Sequence, residues 1–109
     1  MADVIGHFEQ AVLVALIHLG DDAYGRAILN EVQTRLDRDV SAGAVYATLE
    51  RLEGKGFAAS RLAPGTAIRG GRPRRYFVPT AAGVRALNDA KSASDALWRG
   101  LAWPLKVRA

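Results

Sequence analysis

The chain has no cysteine among its 109 residues. That excludes disulfides, thiolate metal sites and a cysteine nucleophile, and it suits a reducing compartment. No apolar run reaches the length of a membrane span, and no cationic, apolar and cleavage regions follow one another at the start. A cytoplasmic protein without a membrane partner is the expectation. Internal repeats are missing, as are a Ser-His-Asp arrangement, a P-loop and a dinucleotide fingerprint. His7 and His18 stand about three helical turns apart. They cannot share a metal within one chain, and helix-end or surface histidines are the simpler reading. No cofactor, no metal and no enzymatic activity are expected. The most informative absence is of acid. Between Gly54 and Asn88 there is no Asp or Glu, and all 11 acids lie outside that stretch. It holds Lys55, Arg61, Arg69, Arg72, Arg74, Arg75 and Arg85. Such segregation suits an anionic partner, although a solvated face that keeps the chain soluble explains the charge equally well.

The length suits one domain with one modest core. In HFEQAVLVALIHL, residues 7 to 19, Phe8, Ala11, Val12, Ala15, Leu16 and Leu19 form one helical face. Leu13, Val14 and Ile17 are also apolar and lie off it. A helix apolar nearly all round is buried on two sides. The second side is assigned to another copy of the chain, through Leu13 and Ile17, against the alternative of a central helix wrapped by its own domain. Gly20-Asp21-Asp22 ends this helix and caps the next, expected over 24 to 36. Ser41 caps a third helix, whose buried stripe is Val45, Leu49 and Leu52, and Gly56 ends it. Residues 57 to 63 read as a strand, and 64 to 73, rich in glycine and proline, as a loop. Arg74 to Val78 reads as the returning strand, with Tyr76 and Val78 tied to the core. Thr80 caps a fourth helix carrying Val84, Leu87, Leu97, Trp98 and Leu101, with a weakly periodic stretch at Lys91 to Asp95. Residues 1–80 and 81–109 thus divide into a binding domain and a C-terminal helix.

This order predicts a mainly α fold with a small β-hairpin, the winged helix-turn-helix. Opposite the buried stripe of the third helix lie Gly43, Tyr46, Ala47 and Glu50. Its first turn, Ser41, Ala42 and Gly43, offers small residues and free N–H groups that suit a groove and its phosphates. Tyr46 brings a hydroxyl for phosphate or a base edge, or else packs against the second helix. In the loop, Arg69, Arg72 and Arg74 suit phosphates or a narrow minor groove, and Gly70 and Gly71 permit close backbone approach.

Three blocks, FEQAVLVALIHLGDDAYGRAIL, SAGAVYATLERLEGKGF and GGRPRRYFVPTAAGVRAL, resemble the PadR-like transcriptional regulators over most of the chain. The middle block is similar to the family's Val-Tyr and Leu-x-Arg-Leu-Glu pattern, and the last to its basic wing ending in Thr-x-x-Gly. The resemblance implies a dimeric winged-helix protein that binds double-stranded DNA, usually as a repressor. It implies Ser41, Gly43 and Tyr46 at the DNA, Arg69, Arg72 and Arg74 in the wing, and Leu97, Trp98 and Leu101 in a dimer helix. Some members respond to small aromatic or drug-like molecules. Trp98 and Trp103 are the candidates to stack on such an effector between subunits or, more simply, to anchor the interface. The chain departs from the family in its short C-terminal segment, where Pro104 should end any helix. Two other readings stay open. One is a ligand-sensing module with weak DNA affinity. The other is a winged-helix protein-interaction module, against which the acid-free basic segment argues.

Overall fold

Local signals place the helix ends. The computed structural model describes residues 4–63 and 73–108. Helices α1 (His7–Leu19), α2 (Gly25–Leu36) and α3 (Ala42–Gly54) come first. Strands β1 (Ala58–Ala63) and β2 (Arg74–Pro79) follow as an antiparallel pair with Ser60 opposite Phe77, and α4 (Ala81–Leu97) closes the order. This is a winged helix-turn-helix.

Ser41 Oγ accepts the Ala44 N–H at 3.0 Å and starts α3. Thr80 does more. Its Oγ1 accepts the Gly83 N–H at 3.0 Å and donates to the Gly56 carbonyl at 2.6 Å. Its own N–H donates to the Phe57 carbonyl at 3.0 Å. Gly56, at φ 77°, turns the chain there at no Cβ cost. Gly83 packs on the same corner, and a Cβ on it would overlap the Phe57 carbonyl oxygen. The Thr-x-x-Gly stretch therefore pins the start of α4 to the end of α3. The acidic pair after α1 behaves differently from expectation. Gly20–Asp22 form a turn of 3-10 helix, and Tyr24, extended and without a side-chain cap bond, precedes α2. Tyr24 is extended because its backbone pairs with Tyr76 of β2.

The core joins Val12, Leu13 and Leu16 of α1, Ile28 and Val32 of α2, and Val45, Leu49 and Leu52 of α3. Two expectations change here. Leu13 is fully buried inside its own chain, so it has no surface left for a partner. On β2, Phe77 is the buried residue and Val78 is exposed. The hairpin turns Phe77 inward because its N–H donates to the Ala23 carbonyl at 2.9 Å, against α1. The fourth helix also changes. It runs unbroken through Lys91 to Asp95, where the two side chains pair at 2.8 Å, and ends at Leu97. Trp98 is its cap and Leu101 lies beyond it, so the helix covers only part of 81–109. Ala82, Ala86, Leu87 and Ala90 pack on the core, while residues 91–108 are exposed.

One buried acid braces this core. Glu9 accepts from the Gly6 N–H at 3.0 Å and from Lys55 Nζ at 3.0 and 3.3 Å, with Arg51 Nε 3.9 Å away. Lys55, one of the cations of the acid-free stretch, is thus already paired. Arg51 donates to Thr48 rather than to the neighbouring glutamates. Burial pushes the Glu9 carboxyl up. The Gly6 N–H, the Lys55 hydrogen bond and the charges of Lys55 and Arg51 outweigh it and hold the carboxyl below its ordinary 4.5.

Two measurements check these contacts. Gly83→Ala should lose about 1–3 kcal/mol in urea unfolding, since the added methyl meets backbone that cannot yield. Glu9→Gln should lose about 1–3 kcal/mol at neutral pH. The lowered carboxyl contributes fully above its ordinary value and less as pH falls through its folded value. Wild-type stability should therefore drop more steeply in acid than that of Glu9→Gln.

Candidate nucleic-acid interface

The third helix divides cleanly between core and solvent. Val45, Thr48, Leu49 and Leu52 are buried, whereas Ser41, Ala42, Gly43, Ala44, Tyr46, Ala47 and Glu50 are exposed. A Cβ on Gly43 would meet nothing within 4 Å, so this residue faces open space. The exposed face therefore begins with small residues around a capped helix start, the shape that lets a backbone approach a groove. Tyr46 packs against the second helix and still keeps an open side. Its ring stands against Gly25 at the start of α2, where an added Cβ would overlap the hydroxyl, yet Tyr46 remains 51% exposed.

Beside this face lies the base of the wing. The Arg74 guanidinium sits 4.2 Å from the centre of the Tyr24 ring. Tyr24 meets Tyr76 edge to face at 5.9 Å, and Arg61 lies 5.2 Å over Tyr76. Cation, ring, ring and cation thus alternate across the wing base, each cation–ring contact contributing about 0.5–1 kcal/mol when exposed. Arg75 points to the other face, as strand alternation requires. Its Nη1 donates to Ser60 Oγ at 3.0 Å, and Ser60 donates to Glu53 of α3 at 2.8 Å. Between the start of α2, Tyr46 and the wing base opens a cleft of about 530 Å³, bordered by Arg26, Arg74 and Arg75 and, among the described residues, by no acid. Arg69, Gly71 and Arg72 lie outside the described residues.

The structure brings Ser41, Ala42, Gly43, Tyr46 and Ala47 onto one exposed face, with Arg74 adjoining through the cleft. Beside them it places Tyr24 and Arg26, which the sequence reading missed, and Arg61, read only as one cation of the acid-free stretch. Arg26 and Tyr24 precede the acid-free stretch, so no local charge signal marked them. Outside this face, Ile17, Leu97, Trp98, Leu101 and Trp103 are exposed, between 41% and 78%. Among the described residues no helix is long and apolar enough to cross a membrane.

The family model for the transcriptional regulator PadR-like family matches residues 12–89. A search of curated proteins found no match. Among solved structures, a PadR-like transcription factor from Bacteroides fragilis is 22% identical, with 82% of this chain and 81% of that one covered and a TM-score of 0.68. A PadR family transcriptional regulator from Eggerthella lenta is 28% identical, covering 82% and 75%, with a TM-score of 0.64. A PadR family regulator from Clostridium difficile is 25% identical, covering 84% and 91%, with a TM-score of 0.67. The family match spans more than half of the chain and takes in most of the helix-turn-helix motif and the wing. This chain belongs to the PadR-like family of transcriptional regulators, winged-helix DNA-binding proteins rather than enzymes.

Proposed function

We propose that the protein is a homodimeric repressor acting in the cytoplasm on a pseudo-palindromic operator. Each protomer lays α3 in a major groove, Ser41, Ala42, Gly43 and Ala47 allowing close approach and Tyr46 reaching phosphate or a base edge. The wing, with Arg69, Gly71, Arg72 and Arg74, holds the backbone or a minor groove beside it. The observation that carries this reading is the exposed, small-residue start of α3 standing next to an arginine-bordered wing base that lacks acids.

The dimer is assigned to the segment 81–109 with Ile17. Leu97, Trp98 and Leu101 form an exposed apolar surface at and beyond the end of α4, where a partner would remove it from water. A small aromatic effector between subunits, stacking on Trp98 or Trp103 and releasing the DNA, completes the reading. Quenching of tryptophan fluorescence by planar aromatics supports that part, and unchanged emission contradicts it.

Selection of bound fragments from a random duplex pool tests the whole. It should enrich a pseudo-palindrome with half-sites about 34–36 Å apart, whereas no retained duplex at low salt would contradict the reading. A dimer neutralising roughly eight phosphates should show a log–log salt slope of about −7. Arg72→Ala should weaken binding to selected and random duplexes alike and make that slope shallower. Tyr46→Phe keeps the ring on Gly25 and removes only the hydroxyl. It should cost the selected site about 1 kcal/mol more than random duplex. Leu97→Asp with Trp98→Ala should shift sedimentation from dimer to monomer.

A further inference from the structure

We propose that the cleft between the start of α2 and the wing base seats a backbone phosphate of duplex DNA. Arg26 and Arg74 are its cationic ligands, and Tyr24 is the residue that positions Arg74. The proposal rests on the DNA-binding reading above and extends it to two residues outside α3 and the wing tip.

The cleft has the composition a phosphodiester needs. Three arginines border it and, among the described residues, no acid does. Their availability differs. Arg75 is committed to Ser60 and, through it, to Glu53. Arg26 is exposed, and among the described residues neither Arg26 nor Arg74 enters an ion pair. Arg74 is half-buried with its guanidinium over the Tyr24 ring at 4.2 Å. A guanidinium resting on an aromatic face keeps its N–H donors at the rim, free for a forked contact with two oxygens. The ring removes side-chain freedom before the ligand arrives, so less is lost on binding. Tyr24 is itself fixed, by its backbone pairing with Tyr76 and its edge contact with that ring. The Tyr46 hydroxyl, against Gly25, borders the same cleft and supplies a neutral donor. Because Tyr46 belongs to α3, a phosphate held here lies on the strand flanking the groove that α3 enters.

Salt-titrated binding of the full chain to a random-sequence duplex tests this with three variants. Arg26→Ala changes an exposed side chain and leaves the core untouched. It should bind every sequence more weakly and make the log–log slope shallower by about one for each phosphate no longer neutralised. Tyr24→Leu should make the slope shallower as well, and Tyr24→Phe, which keeps the ring, should restore it. An Arg26→Ala protein with wild-type affinity and slope overturns the phosphate site while leaving DNA binding intact. A Tyr24→Leu protein that melts earlier but keeps the wild-type slope overturns the positioning role. Wild-type protein that binds no duplex at low salt overturns the DNA reading and this site together.

Discussion

A short backbone contact ties the returning strand of the wing to the start of α2, and the arrangement of the wing base depends on it. The Phe77 N–H donates to the Ala23 carbonyl, and Tyr24 pairs with Tyr76 one residue on. A two-stranded hairpin alone is marginal in water. Here the contact gives β2 a further partner and drives Phe77 into the core, a burial contributing about 1.5–3 kcal/mol. With that tie in place, Tyr24 is extended, its ring meets both Tyr76 and Arg74, and α2 starts at Gly25. Only a glycine there admits the Tyr46 hydroxyl. The wing base, the start of α2 and the exposed face of α3 are therefore one mechanical unit.

Charge follows the same division. Two acids near the basic stretch are occupied within the fold, Glu9 with Lys55 and Arg51, and Glu53 with Ser60. What remains on the cleft side of α3 is cationic and aromatic. Such a surface attracts phosphate through an interaction that is independent of sequence and falls with salt. On the exposed side of α3, Tyr46 and Glu50 are the polar side chains opposite the buried stripe. The exposed apolar surface at the end of α4 is remote in sequence from this face.

Much of the fold was legible because it is written locally. Ser41 and Thr80 cap helices through their own hydroxyls, and Gly56 stops one through its backbone, so neighbours in sequence suffice to locate these ends. The faces of the third helix followed from its period for the same reason. The misreadings came from positions where two faces are equally apolar. In RRYFVP either parity places an apolar residue inward, and the bond from Phe77 to Ala23 decides, a contact between residues far apart in sequence. Leu13 looked like an interface residue because α1 is apolar nearly all round, yet the domain wraps that side itself. Tyr24 and Arg26 were invisible as site residues because only the returning strand brings them beside Arg74.

If α3, the start of α2 and the wing base form one DNA-contacting surface, a short duplex must touch all three at once. Amide chemical-shift mapping of the labelled protein, with duplex added at low salt, reads that contact residue by residue. Perturbations are expected at Ser41 to Ala47, at Tyr24 to Ala27 and at Arg74 to Phe77, with α1 and the far half of α4 unaffected. Perturbations confined to α1 and α4, or none at saturating duplex, would contradict a single surface of this kind.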